Sequence, residues 1–208
     1  MINVIARELF DRRCEEEIQL HVPPKRRRKK ESQMQLFHDW KGLRLELAEY
    51  VQDNNISEDE FRFLGIYEWQ DVFDRMLEHF VDERYARKYG LHWVNTSCAV
   101  QKNIDKIYSF QLNADQNCSC EWLEKLPEIV LCEKVYLFLE EHRQRSKYWI
   151  AECSPAVVSL MINDTYSVND YYITDKKFNW LITGDHHDII QFWGKGLDLE
   201  TIKKVCTK

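Results

Sequence analysis

Apolar positions along the 208-residue chain change period near residue 90. Before that point they recur every three or four residues, the spacing of one face of a helix. Ile2, Ile5 and Leu9 predict a helix over 2–17, and Leu36, Phe37, Trp40, Leu43, Leu47 and Tyr50 predict an amphipathic helix over 32–52. Trp69, Val72, Phe73, Met76 and Phe80 form a third stripe, predicting a helix over 68–89 that stops at Gly90. Between these two, Ser57 and Glu60 have capping-box spacing and mark a further helix start. Ile18, Leu20 and Val22 alternate ahead of Pro23-Pro24, as a short strand or a helix end would.

Beyond residue 90 the runs shorten and turn aromatic and β-branched. Residues 91–94, 106–112, 134–141, 147–153, 170–174, 178–183 and 188–194 read as strands. A short helix over 120–125 divides the second from the third, and Ser154-Pro155 opens a helix over 154–163. The last three strands are joined by Asp175-Lys176-Lys177 and by Gly184-Asp185-His186-His187, connectors so short that antiparallel hairpins must result. Gly184 and Asp185 suit such a turn, since both residue types tolerate positive φ or cap their own backbone. In the strand before it, Phe178, Trp180 and Ile182 share the larger apolar face, expected in the core with Ile189 or Ile190 across the hairpin.

The predicted fold class is α+β: N-terminal helices followed by a mainly antiparallel sheet with one or two crossover helices. The change of period divides the chain into a helical annex over 1–65, with a basic connector at 22–33, and an α+β domain over 66–208.

Charge adds one feature. The formal net charge is −6, yet Lys25, Arg26, Arg27, Arg28, Lys29 and Lys30 carry six positive charges in a row. An acidic body thus bears one basic segment. Such a run reads as a solvated loop, as an arm that neutralises phosphates, although it lacks the interleaved aromatics that stack on bases, or, in a eukaryotic source, as a nuclear localisation signal. The N-terminus has no continuous apolar stretch of the secretory kind, and no run approaches the 18 apolar residues of a membrane span. Seven scattered cysteines read as reduced thiols of a cytoplasmic protein rather than a disulfide or zinc framework.

Candidate chemistry concentrates at Asp185, His186, His187 and Asp188. If these residues continue a strand, the two histidines face opposite ways and do not share a metal ion unless the turn bends sharply between them. One histidine with one aspartate supplies two ligands where three or four are needed. The remaining histidines (His21, His38, His79, His92 and His142) form no metal-binding spacing. No nucleophile-elbow, Walker or dinucleotide-binding glycine pattern occurs either. The expectation is therefore no cofactor, no metal and no catalytic residue, with one histidine packed and hydrogen-bonded to orient the turn.

The segment Asp170–Gly194, preceded by Lys134–Met161, resembles a family of uncharacterised small bacterial domains that share a tyrosine-rich strand, a lysine-containing turn, a Trp-Leu strand and a His-His-Asp segment. The resemblance spans 69–194 in pattern and is most specific over Tyr171–Asp188. In size and architecture these domains are also similar to SUKH-type immunity proteins, which are non-catalytic partners that neutralise toxins. This resemblance implies a non-enzymatic protein-binding factor of bacterial or phage immunity or defence. Its partner would be a toxin or defence component, and Asp175, Lys176, Lys177, Asp185, His186, His187 and Asp188 are its candidate contacts. Two alternatives stand beside it: a nucleic-acid-associated protein acting through Lys25–Lys30, and a metal-dependent hydrolase at Asp185–Asp188.

Overall fold

The computed structural model describes residues 42–84, 104–112, 121–141, 148–165 and 168–206. Contacts divide the chain into two compact units, Met1–Trp40 and Lys41–Lys208, and every described residue falls in the second. The predicted helix over 2–17, the segment 18–22, the basic run Lys25–Lys30 and the predicted strand over 91–94 lie outside the described residues.

Seven strands make one antiparallel sheet: β1 (Phe61–Phe63), β2 (Lys106–Gln111), β3 (Val135–Glu141), β4 (Tyr148–Cys153), β5 (Val168–Asp175), β6 (Trp180–Gly184) and β7 (Ile189–Gly194). Their order is β1-β4-β3-β5-β6-β7-β2, so β5, β6 and β7 form the consecutive hairpins that the short connectors demand. Six helices accompany them among the described residues: α1 (Leu43–Asp53), α2 (Ile66–Phe80), α3 (Glu121–Glu124), α4 (Leu126–Ile129), α5 (Pro155–Asn163) and α6 (Leu199–Cys206). The α+β class expected from the change of period is the class observed.

Both faces of the sheet are covered, which explains why the central strands read as continuous apolar runs. In β3, Val135, Leu137 and Leu139 enter a core built with Leu47 of α1, Leu123 of α3, Ile129 of α4, Val158 of α5 and Ile202 of α6. Tyr136 and Phe138 enter the opposite core, with Val72, Met76 and Phe80 of α2. Trp180 and Ile182 belong to the first core as expected, and Ile190 joins them across the hairpin.

Several expectations are revised. Leu43, Leu47 and Phe61 lie in the first core and β1 pairs with β4, so residues 41–65 belong to the α+β unit rather than to an annex. Gly42 is extended, so α1 starts at Leu43; residues 32–41 of the helix predicted over 32–52 lie outside the described residues. Ser57 and Glu60 do make reciprocal bonds: the Ser57 N–H donates to Glu60 Oε2 at 3.0 Å, and the Glu60 N–H donates to Ser57 Oγ at 3.3 Å. They close a single turn that leads into β1, because pairing of Phe61 with Cys153 draws the chain into the sheet. The third helix ends at Phe80, where Val81 is extended, ten residues before Gly90. Phe178 leaves the strand alternation altogether. Its φ of 58° turns the side chain into the second core, against Phe80 and Tyr136.

Helix α6 escaped the sequence reading. Its start was nonetheless written in Asp198, whose carboxylate accepts from the backbone N–H of Thr201 at 3.1 Å as an N-cap does.

Candidate functional site

The β6–β7 turn consists of Asp185–Asp188, and Asp185 builds it. Its Oδ1 accepts from the backbone N–H groups of His187 at 3.0 Å and Ile189 at 2.9 Å. Its carbonyl accepts from Asp188 N–H at 2.9 Å. A carboxylate that bonds the backbone ahead of it is the usual device of an aspartate turn. The positive φ falls on Asp188, at 60°, in a region that Asp tolerates better than most residues. Gly184 has a different role. It lies within β6 opposite Tyr171, and a Cβ there would stand 2.1 Å from the ring atom Cζ of Tyr171. Glycine is required by the close approach of the ring, not by the turn.

Because His186 and His187 occupy the turn itself, strand alternation does not separate them. Their ring centroids lie 4.1 Å apart, against the expectation of opposite faces. Asp170 of β5, only 2% exposed, holds His186 in two ways. Its Oδ1 accepts from the His186 backbone N–H at 3.1 Å and faces the ring Nδ1 at 2.9 Å. A carboxylate can only accept, so Nδ1 carries a proton, and in the neutral ring Nε2 is left as an acceptor. The amide of Asn169 donates to the same Asp170 oxygen at 3.2 Å. The bond to Asp170 raises the pKa of His186 above its ordinary value, outweighing the opposing effect of partial burial. The His187 ring is exposed.

Beside the turn lies a cleft of about 240 Å³, lined by Ile162 of α5, Thr165 just beyond it, Val168 and Tyr171 of β5, Ile190 of β7, and the turn residues Asp185, His186 and Asp188. On the α2 side of the sheet a buried polar group continues inward from Asp170: Glu140, Tyr148, Tyr172, Thr183 and Gln191. Burial, followed by the Glu140 and Asp170 charges, pushes the Tyr148 hydroxyl up, and burial with Asp170 does the same to Tyr172. Of these, only Glu140 stands out in the sequence, where its pairing with Glu141 reads as solvated charge at the end of an element; both are instead buried within β3, which corrects that reading. The available signal was polar residues set inside runs otherwise apolar on both faces, as in Phe138-Leu139-Glu140 and Asp170-Tyr171-Tyr172.

Asp175, Lys176 and Lys177 sit at the other end of β6, roughly 16 Å from Asp185–Asp188 at the strand rise of about 3.3 Å per residue. The two sets therefore do not form one surface. Asp175 is buried and holds its own turn, accepting from the N–H and the side-chain amide of Asn179, both at 2.6 Å. Lys176 pairs with Glu152 at 2.7 Å, and Lys177 is exposed.

Among the described residues no three His, Cys, Asp or Glu side chains group as metal ligands, and no helix is long and apolar enough to cross a membrane.

A doubly covered antiparallel sheet with a hydrogen-bonded His-His turn at one end is the class this unit defines. The chain belongs to the family of unknown function DUF6756, whose model matches residues 39–205, almost the span of the Lys41–Lys208 unit. Neither the curated proteins nor the solved structures yield a match.

Proposed function

We propose that the protein is a non-enzymatic binding factor that engages another protein through the β6–β7 turn, and that it serves bacterial or phage immunity or defence by neutralising or sensing that partner. The observation that carries this reading is the clamp of buried Asp170 on half-exposed His186. Burying a carboxylate costs several kcal/mol, and well-packed apolar residues often serve stability equally well. Here the acid fixes a surface ring and its backbone, while Asp185 fixes the rest of the turn. A turn ordered in advance loses less entropy on docking. The resemblance of Tyr171–Asp188 to small bacterial domains, and of the architecture to SUKH-type immunity proteins, supports the immunity role.

A second reading has its own support in the six consecutive cations Lys25–Lys30, which could neutralise a phosphate backbone. Affinity purification of the full chain from its host distinguishes the two. The binding reading expects a retained protein that is lost when His187→Ala and Asp188→Asn are combined, with an unchanged melting temperature. Retention of nucleic acid alone, or equal retention of the protein by the double variant, would contradict it.

A further inference from the structure

The cleft beside the β6–β7 turn has two chemically distinct parts. Ile162, Val168, Tyr171 and Ile190 give it an apolar lining, and Asp185, His186 and Asp188 give it a polar lip. What the lip still offers is a set of acceptors. Asp185 Oδ1 is occupied by two backbone N–H groups, which leaves Oδ2. Asp188 is exposed at the crest of the turn.

Two donors of the lining are engaged within the fold: the Thr165 hydroxyl donates to the Met161 carbonyl at 2.7 Å, and the Asn169 amide donates to Asp170. An anion would meet the two carboxylates of the lip. The volume is also decisive. About 240 Å³ falls below the roughly 300–1,000 Å³ of pockets that take drug-sized ligands and cofactors, and suits one side chain.

The geometry points to one lysine or arginine side chain of the partner protein as the occupant of this cleft. Its aliphatic stem lies on Ile162, Val168, Tyr171 and Ile190, and its cation is held between the carboxylates of Asp185 and Asp188. Lysine and arginine both join an apolar stem to a charged head, which matches a cleft with an apolar floor and an acidic lip. The net charge of −6 favours approach of a cationic surface. This assignment rests on the binding role proposed above and names the chemistry of its partner.

The test is an NMR titration of the full chain with N-acetyl-lysine methylamide, N-acetyl-arginine methylamide and the uncharged N-acetyl-norleucine methylamide. A cationic probe is expected to shift the amide resonances of 168–171 and 185–190 saturably. Norleucine is expected to bind at least fivefold more weakly, and Asp188→Asn to weaken the cationic probe by a similar factor. Asn tolerates the positive φ at this position, so the turn is retained. Equal binding of norleucine, no shift with either cation, or unchanged affinity in Asp188→Asn would overturn the assignment. If the probes fail while the wild type still captures a protein that the His187→Ala, Asp188→Asn double variant loses, the cation assignment falls and the binding role stands. If the cations bind but capture is indifferent to the double variant, the binding role falls and the partner assignment falls with it.

Discussion

Asp170 holds both the ring and the backbone N–H of His186, so protonating the ring changes one arm of that clamp. The hydrogen bond to Asp170 raises the folded-state pKa, which means the folded chain binds the imidazole proton more tightly than the unfolded chain does. The resulting stabilisation is fully present below about pH 6.5, the ordinary histidine value, and is lost as pH rises through the raised folded value. His186→Gln lacks this contribution. The melting-temperature gap between wild type and His186→Gln is therefore expected to be widest near pH 6 and to narrow towards pH 9; a gap that is constant or widens would contradict the clamp. Gly184 sets a separate constraint. In Gly184→Ala the new methyl meets the Tyr171 ring, and overpacking of this kind costs about 1–3 kcal/mol, readable as a lowered denaturant midpoint. His187 makes no hydrogen bond through its ring among the described residues, so His187→Ala is expected to change stability by no more than about 0.5 kcal/mol.

Strands and hairpins were the most legible elements, because short aromatic runs and three- or four-residue connectors leave few alternatives. Strands β2 to β7 all lie where the pattern put them. What the pattern misjudged were places where a local signal met a tertiary one. The Ser57–Glu60 box is a genuine helix-start motif that forms its bonds, yet β1 follows because Phe61 gains more from the sheet and the core. Phe178 reads as the first apolar residue of a strand face, but a positive φ sends it to the other side. The histidine faces were misjudged for the same reason: strand periodicity was applied to residues that form a turn. The Asp170–His186 contact joins residues 16 apart through strand register, and no local pattern encodes it. Trp180 tests the strand assignment directly. It is buried against the first core, and truncating it is expected to cost about 3–5 kcal/mol, a large part of a total near 5–15 kcal/mol. A Trp180→Ala protein that melts like the wild type would remove Trp180 from the core.

At a larger scale, both sheet faces are covered by helices among the described residues, so the proposed docking falls to turns and strand ends. The two ends of β6 differ in character. One carries Asp175 and Lys176, whose groups are committed to Asn179 and Glu152, and the other carries the acidic lip of the cleft. The basic run belongs to a separate test. Replacing Lys25, Arg26, Lys29 and Lys30 with Ser is expected to abolish any salt-sensitive retardation of DNA or RNA without changing the melting temperature, and binding that survives unchanged would exclude this segment from the function. The central claim is that a protein partner docks at the β6–β7 turn. It is tested most directly by amide hydrogen exchange on the full chain with and without the captured partner. Added protection confined to residues 168–171 and 185–190 is the predicted result. Protection at residues 175–179 instead, with the β6–β7 turn unchanged, would place the partner at the wrong end of the sheet and contradict the account.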